Sequence, residues 1–404
     1  MSSVSIVHAH LVLPDAVLED GAVLIRDGKI VEVGSCLEVA WADADEVIDA
    51  GHSLYLLPGL IDTHCDGLEV EINPRPRVNF DGLFAMRNYE RRCLMGGVTT
   101  SFHALTFADM PRSGRTLEEA ALRAELVRES RQQASMDHQL LHRCDVWTPT
   151  ALDSLFGSLR VSPVQAMSLN DHTPGQGQYR NLDEFKKTMI AYHGADPTYD
   201  ADADIEKRIA ARQDRTPVME VLGRVGVEFR AQAFVLASHD DDSVERVDAM
   251  HELGCTIAEF PVVIEAARRA REIGEWITVG APNIVRGGST SGNSDATELV
   301  REGLADIICA DYHTPSMLVA ATKLVDLGIC TLPEAVAKVT ANPAAAFGLD
   351  DRGRIEVGLA GDLVLVDLER GRPRVHDALY RGAVVYSDGR APRLQERSLA
   401  LSAR

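Results

Sequence analysis

A histidine and an aspartate stand two positions apart where an apolar run of the chain ends. The run Leu54–Ile61 leads into Asp62-Thr63-His64-Cys65-Asp66. In a β-strand, side chains two positions apart point to the same side, so His64 and Asp66 could share one metal ion. Such a pair is common without a metal, and its meaning depends on further ligands elsewhere in the chain.

Further ligand candidates occur where other apolar runs give way to polar residues: Asp145, His172, His239 and Asp311. Imidazole and carboxylate groups are usual protein ligands of catalytic zinc. With His64 and Asp66 they exceed what one four-coordinate ion needs, so we expect two divalent ions. Zinc fits this set best, and the oxygen ligands also admit manganese or iron. Asp145 has an alternative function, because an aspartate after a strand often caps the next helix.

A segment rich in glycine and serine follows the seventh apolar run. It reads Asn283-Ile284-Val285-Arg286-Gly287-Gly288-Ser289-Thr290-Ser291-Gly292-Asn293. Glycine lets backbone N–H groups approach a ligand closely, and the planar fork of Arg286 matches phosphate oxygens. The phosphate-binding candidates of this segment are Asn283, Arg286, Gly288, Ser289, Ser291 and Asn293. The alternative is a tight turn with no ligand.

The elements that must position these residues alternate between strand and helix. Apolar strand candidates lie near 55–62, 98–103, 139–146, 161–169, 232–238, 255–260, 276–281 and 306–310. Helical patterns such as Val244–Leu253, Ile264–Ile273 and Ser316–Leu327 separate most of them. Eight strands with intervening helices predict a closed parallel (β/α)8 barrel, whose functional residues lie at the carboxyl ends of its strands. The charged stretch 181–224 is too long for one connection and predicts an exposed helical excursion at that rim.

Both ends of the chain have the pattern of short strands and turns. Asp27-Gly28 separates two apolar runs within 23–34 and predicts a hairpin. Similar runs occur in the last 50 residues. We therefore expect residues 1–57 and 346–404 to form one small β-sandwich domain, and residues 58–345 to form the barrel.

Composition limits the partners of this chain. It has 404 residues, of which 45% are hydrophobic and 25% charged, which is ordinary for a globular protein. Its net charge of −20 disfavours nucleic acid and anionic membranes, so a phosphorylated substrate would need cations nearby. The seven cysteines are scattered without a CxxC pair, which suits a reducing cytoplasm, the expected location. A homo-oligomer is compatible with the sequence.

Several motifs resemble the amidohydrolase superfamily in their order along the chain. They are Pro58-Gly59-Leu60-Ile61-Asp62 before His64, Gly96-Gly97-Val98-Thr99-Thr100, Thr331-Leu332-Pro333-Glu334-Ala335, and Gly361-Asp362 before an apolar run. The resemblance implies a metal-dependent hydrolase with His172, His239 and Asp311 among its ligands. It also implies that Asp311 takes the proton of the attacking water. The family's usual bridging ligand is a carboxylated lysine, and no lysine stands at a suitable strand end, so Asp145 is the expected bridge.

Longer segments resemble the diphosphatases of phosphonate metabolism within that superfamily. They are His64-Cys65-Asp66-Gly67-Leu68-Glu69 leading to Pro74-Arg75-Pro76, Asp171-His172-Thr173-Pro174-Gly175-Gln176, Ala237-Ser238-His239-Asp240-Asp241, and 280–293. That family removes diphosphate from α-D-ribose 1-methylphosphonate 5-triphosphate. The resemblance implies a small phosphorylated substrate, bound in part by Arg75 and by the glycine-rich segment.

The chain departs from that pattern near its expected site. Val70 and Glu71 stand where the family has lysine and histidine, and Thr290 stands where it has histidine. Fewer cations favour a less charged substrate. Three functions therefore stay open: hydrolysis of a phosphoanhydride, hydrolysis of a C–N bond in an amide or cyclic amide, and binding by an inactive barrel.

Overall fold

The computed structural model describes residues 3–75, 78–108, 116–193, 199–289, 292–369 and 371–394. Ser291, one of the phosphate-binding candidates, lies outside these ranges. The strands are β1 (Ser3–Val12), β2 (Val17–Arg26), β3 (Lys29–Ser35), β4 (Glu46–Asp49), β5 (Tyr55–Pro58), β6 (Leu60–Cys65), β7 (Val98–Phe107), β8 (Asp137–Asp145), β9 (Ala166–Asn170), β10 (Val235–His239), β11 (Ile257–Glu259), β12 (Trp276–Gly280), β13 (Ile307–Cys309), β14 (Leu363–Asp367), β15 (Arg374–Tyr380), β16 (Ala383–Ser387) and β17 (Arg393–Leu394).

Helices connect most of the strands in the middle of the chain. They are α1 (Gly67–Ile72), α2 (Gly82–Met95), α3 (Leu117–Ser130), α4 (Leu152–Val161), α5 (Leu182–His193), α6 (Ala201–Ala211), α7 (Thr216–Ala231), α8 (Val244–Leu253), α9 (Ile264–Glu272), α10 (Ala281–Arg286), α11 (Ala296–Arg301), α12 (Ser316–Asp326), α13 (Leu332–Ala337) and α14 (Ala341–Ala346). Thr331 and Glu334 form a capping box at the start of α13. Within the described ranges, no helix is long and apolar enough to cross a membrane.

An eight-stranded parallel sheet forms the barrel that the sequence predicts. Its strands follow one another in chain order from β6 to β13. A parallel bridge between Cys65 and Asp311 joins the end of β6 to the residues that follow β13. The strands are buried along most of their length, as parallel strands covered by helices are. Because all eight run in one direction, their carboxyl ends form a single rim.

The predicted β-domain is confirmed as a second sheet built from both ends of the chain. Its strand order is β16-β15-β14-β5-β1-β2-β3, with β4 paired to β1 and β17 paired to β4. Asp27 and Gly28 form the turn between β2 and β3. Their φ values of 50° and 79° lie in the left-handed region that a two-residue hairpin turn requires. The exact boundaries 1–57, 346–404 and 58–345 stay a prediction.

The chain also divides into two compact units that do not coincide with the two sheets. The first unit comprises Met1–His103, Val127–Gln139 and Ile307–Arg404. The second unit comprises Ala104–Leu126 and Leu140–Asp306. The predicted helical excursion belongs to the second unit, where α5, α6 and the start of α7 cover the stretch 181–224.

The strand predicted near 55–62 is two strands that serve different sheets. β5 pairs with β1 and β14 in the terminal sheet, and β6 begins the barrel. Gly59 separates them, and its N–H donates to the carbonyl of Asp362 at 2.8 Å. A Cβ at this position would lie 2.1 Å from Oγ1 of Thr99, so only glycine fits. The apolar run hid this break because both halves are buried.

Candidate metal centre

In the first unit, backbone hydrogen bonds tie together His64, Asp66 and Asp311. His64 is the fifth residue of β6 and its side chain is buried. The N–H of Asp311 donates to the carbonyl of His64 at 2.9 Å, and the N–H of Asp66 donates to the carbonyl of Asp311 at 2.8 Å. The three ligand candidates of this unit therefore lie side by side.

Asp66 reaches this place by a different route from the one that strand alternation suggests. β6 ends at Cys65, and Asp66 is the N-cap residue of α1 with φ −86° and ψ 2°. The period-two argument does not extend to a residue with this backbone conformation. Its neighbourhood with His64 follows from the hydrogen bond to Asp311.

In the second unit, His172, His239 and Asp240 form a candidate ligand group. Each offers one ligand atom, and these atoms lie within 4.8 Å of one another. His239 is the last residue of β10, and His172 follows β9 by two residues. The ring centroids of the two histidines are 6.2 Å apart. Their side chains thus meet at the ends of adjacent parallel strands.

Glu259, the last residue of β11, is a site residue that the sequence analysis missed. Its side chain is 1% exposed, and its Oε2 accepts from Nδ1 of His239 at 3.0 Å and from Oγ of Ser168 at 2.7 Å. A carboxylate that fixes Nδ1–H leaves Nε2 of His239 as the nitrogen able to bind an ion. Glu259 is a single charged residue within an apolar stretch, followed by Phe260-Pro261-Val262, so the change from apolar to polar residues that marked His239 is absent here.

Three residues that lie one or two positions after barrel strands have a left-handed backbone. They are Asp240, Phe260 and Asp311, with φ values of 57°, 56° and 58°. This conformation is unfavourable for a bulky side chain such as that of Phe260. Strain of this type costs about 1–3 kcal/mol per residue and concentrates at functional sites.

Asp145 forms a turn at the end of β8 and does not cap a helix, because the helical segments that follow have Thr148 and Ala151 as their N-cap residues. Its Oδ1 accepts from the N–H of Trp147 at 2.7 Å. Burial raises the pKa of Asp145, although that N–H and the charge of Arg212 oppose the rise. Among the residues that the structure describes, Asp145 belongs to no group of three close ligand atoms. The structure therefore gives its expected bridging function no support.

Two arginines of the helical excursion flank Trp147 beside the ends of β8 and β9. The guanidinium carbons of Arg212 and Arg215 lie 4.5 Å and 4.9 Å from the Trp147 ring centroid. Arg215 pairs with Asp171 at 3.2 Å, and Trp147 Nε1 donates to the same aspartate at 2.9 Å. Nη1 of Arg212 is buried and has no hydrogen-bond partner in the described part of the chain. Burial lowers the pKa of Arg212.

The glycine-rich segment begins as a helix, and two of its backbone N–H groups form hydrogen bonds within the segment itself. Asn283 and Arg286 lie in α10, and the N–H groups of Gly287 and Gly288 both donate to the Asn283 carbonyl at 3.0 Å. These two amides are therefore not available to a phosphate, contrary to the sequence argument. Arg286 is exposed and forms no ion pair with a described residue.

The rest of this segment lies against the start of the excursion. Oδ1 of Asn293 is buried and has no hydrogen-bond partner among the described residues. Nδ2 of Asn293 donates to the Gln178 carbonyl at 3.5 Å. The N–H of Asn293 donates to Oγ of Ser289 at 3.3 Å. A cavity of about 470 Å³ is lined by Arg180, Asn181, Leu182, Asp183 and Gly292. Arg75, the remaining candidate, is exposed in the loop after α1.

Comparison with known proteins adds three similarities. The amidohydrolase family profile matches residues 169–392. The α-D-ribose 1-methylphosphonate 5-triphosphate diphosphatase of Escherichia coli (strain K12) is 36% identical over 359 residues, which cover 88% of this chain and 93% of that protein. A dihydroorotase of Endomicrobium trichonymphae is 24% identical over 394 residues, which cover 86% of each protein.

The fold is also that of solved structures. The β-aspartyl dipeptidase of Fervidobacterium islandicum AW-1 superposes with a TM-score of 0.60 at 18% identity, covering 97% of this chain and 99% of that one. This similarity supports the barrel with its terminal sheet, and it concerns the fold alone.

Proposed function

The chain belongs to the amidohydrolase family and is a hydrolase, and we propose that it cleaves a phosphoanhydride bond in a ribosyl phosphonate triphosphate or a related phosphorylated substrate. The observation that carries this proposal is the 36% identity, over 88% of the chain, to a protein named for that diphosphatase activity.

The ligand sets of the two units fit divalent metal ions. His64, Asp66 and Asp311 would hold one ion, and His172 and His239 would hold the other. We propose Asp240, in place of Asp145, as the carboxylate ligand of this set, because its Oδ2 lies 3.6 Å from Nε2 of His239. Buried imidazole and carboxylate groups of this kind suit zinc, and manganese or iron also accept them. Ions bound here would supply Lewis acidity and a more acidic water.

The side chains of this protein would position and move the proton. Asp311 would accept a proton from the attacking water and return it to the leaving group. The left-handed backbone of Asp311, at φ 58°, sets the direction in which its side chain extends from the rim. Glu259 would keep the Nδ1 nitrogen of His239 protonated, because its Oε2 accepts there at 3.0 Å.

Arg212 is the cation best suited to a phosphorylated substrate. Its buried Nη1 lacks a protein partner among the described residues, and an anion would provide one. Arg286 and Arg180 are exposed near the glycine-rich segment and would add charge. Glu71 should repel an anionic substrate less than its charge suggests, because it forms an ion pair with Arg92.

Hydrolysis of a C–N bond in an amide or cyclic amide is the alternative. The replacement of two expected cations by Val70 and Glu71 favours it, because an uncharged substrate needs no such groups. The similarity to a dihydroorotase at 24% identity agrees with it.

A substrate panel separates the two activities. Purified protein would be given α-D-ribose 1-methylphosphonate 5-triphosphate, a nucleoside triphosphate, a dipeptide and a cyclic amide, and diphosphate and free amine would be measured. We expect diphosphate release from the first substrate and no amine. Turnover of amides alone would contradict the phosphoanhydride proposal and favour the alternative.

A matched pair of arginine variants tests the substrate contact. Arg212→Gln should lower kcat/KM for the triphosphate by about 10-fold to 150-fold, the range for a lost charge-assisted hydrogen bond of about 1.5–3 kcal/mol. Arg208→Gln removes one positive charge one turn earlier in α6, where Arg208 pairs with Asp204 at the surface. Equal losses in both variants would mean a general charge effect, and no loss in either would remove Arg212 from substrate binding.

A further inference from the structure

A second group of metal-ligating side chains lies in the terminal sheet. His8 of β1, Asp20 of β2 and His52 of the turn before β5 each offer one ligand atom, and these atoms lie within 4.8 Å of one another. All three belong to the first unit. None of them belongs to the ligand sets of the hydrolase site.

A carboxylate oxygen lies close to Nδ1 of each imidazole ring. Nδ1 of His8 donates to Oδ1 of Asp49 at 2.9 Å, which leaves Nε2 as the ring nitrogen able to bind an ion. A carboxylate on the far nitrogen is the usual support of a metal-binding histidine. Nδ1 of His52 lies 3.1 Å from Oδ1 of Asp20. The two rings lie nearly parallel, with centroids 4.4 Å apart and an interplanar angle of 31°.

The backbone at all three positions is in the left-handed region. The φ values of His8, Asp20 and His52 are 52°, 51° and 59°. The pairing of β1 with β2 shifts register between Ile6 and Ala9, so His8 lies in a bulge. A bulge re-aims the side chain that it carries, and bulges are frequent next to functional sites. The N–H of His52 donates to the carbonyl of His8 at 2.9 Å and holds the turn against the bulge.

The donor set determines which cation fits. Two imidazole nitrogens and one carboxylate oxygen suit zinc and neighbouring transition metals better than magnesium or calcium, which prefer oxygen ligands alone. His52 and Asp20 are more than half exposed, with side-chain accessibilities of 61% and 56%, so an ion can enter from solvent. The net charge of −20 favours any cation at the surface.

We propose that His8, Asp20 and His52 bind one zinc ion and thereby join β1, β2 and the turn that precedes β5. Water completes the coordination from the exposed side. The thiol of Cys36 lies beside this group, where it accepts from the N–H of His8 at 3.2 Å, and it is not one of the three ligands. The site is separate from the hydrolase site, and its purpose is to stabilise the terminal sheet.

Zinc binding to surface variants tests the site. Wild type, His52→Asn and Asp20→Gly would be stripped with a chelator, dialysed against micromolar zinc and assayed for zinc per chain. Asparagine and glycine tolerate a left-handed backbone, so both variants should fold. We expect both variants to hold one zinc ion fewer than wild type, with unchanged turnover. Equal zinc content in wild type and His52→Asn would overturn the proposal.

His10→Asn is the matched control, because His10 lies in the same strand, two residues from His8, and contacts Tyr55 instead. It should hold as much zinc as wild type. Thermal unfolding gives a second measurement: added zinc should raise the Tm of wild type and His10→Asn more than that of His52→Asn. Identical shifts in all three proteins would also overturn the proposal. Either result leaves the hydrolase function untouched, since none of these residues takes part in it.

Discussion

Replacing Glu259 by glutamine removes a negative charge from beside His239 and keeps the size of the side chain. In the wild type, one oxygen of Glu259 accepts from both His239, at 3.0 Å, and Ser168, at 2.7 Å. Glutamine can place a neutral oxygen at the same point. Only the bond to His239 is coupled to metal binding, and a hydrogen bond to a charged group contributes about 1 kcal/mol more than a neutral one. That loss corresponds to roughly 5-fold weaker metal binding.

Chelator competition with zinc-stripped protein would measure this loss. Glu275→Gln is the control, because Glu275 is another buried carboxylate that bonds a histidine, His251, at 3.1 Å. We expect the Glu259 variant alone to bind zinc more weakly. If Glu259→Gln binds zinc and turns over substrate like wild type, Glu259 does not support the metal centre. If Glu275→Gln is equally weakened, the effect is a general loss of stability.

Three further variants test the proton, the substrate and the pH dependence of folding. Asp311→Asn should keep its zinc, measured by metal analysis, and lose about 10²-fold or more in kcat, and wild-type turnover would exclude Asp311 as the base. Arg286→Ala should lower kcat/KM for the triphosphate by about 10-fold to 150-fold, which corresponds to about 1.5–3 kcal/mol, and unchanged kinetics would exclude a contact with phosphate. Burial raises the pKa of Glu275 to about 7, so its neutral form is favoured in the folded state and the wild type loses stability as the pH rises from about 4.5 through 7. Glutamine at position 275 does not titrate, so the unfolding free energy of Glu275→Gln relative to wild type should rise by up to about 3 kcal/mol between pH 5 and pH 8 in urea titrations. An equal difference between the two proteins at both pH values would contradict the raised pKa of Glu275.

The barrel could be predicted because buried strands and amphipathic helices leave strong local patterns. The helix Val244–Leu253 was predicted to the residue, since Ser243 caps its start and Gly254 its end. The expected domain boundary at 57/58 lies within two residues of the break at Gly59, but the same analysis treated 55–62 as one strand, because burial on both sides makes one continuous apolar run. What separates β5 from β6 is the choice of partner strands, and partners far away in the chain leave no local signal.

The candidate site shows the same division between local and distant information. His64, His172, His239 and Asp311 were found because each follows or ends an apolar run. Glu259 could not be found in this way, because apolar residues stand on both sides of it and only the fold places it beside His239. The surroundings of Asp145 depend on Trp147 and on the charge of Arg212, and the second of these comes from a distant helix.

The continuity of β5 and β6 through Gly59 has a consequence for the order of events during synthesis. β5 leads directly to His64, and its two neighbours in the terminal sheet are β1 and β14. β1 leaves the ribosome before His64, whereas β14 leaves long after every proposed metal ligand has been made. A growing chain therefore contains all the proposed ligands, from His64 to Asp311, while the edge of β5 that pairs with β14 is still unpaired. We expect native metal loading to follow the emergence of β14, so that a nascent chain stalled before Leu363 would not become an active hydrolase.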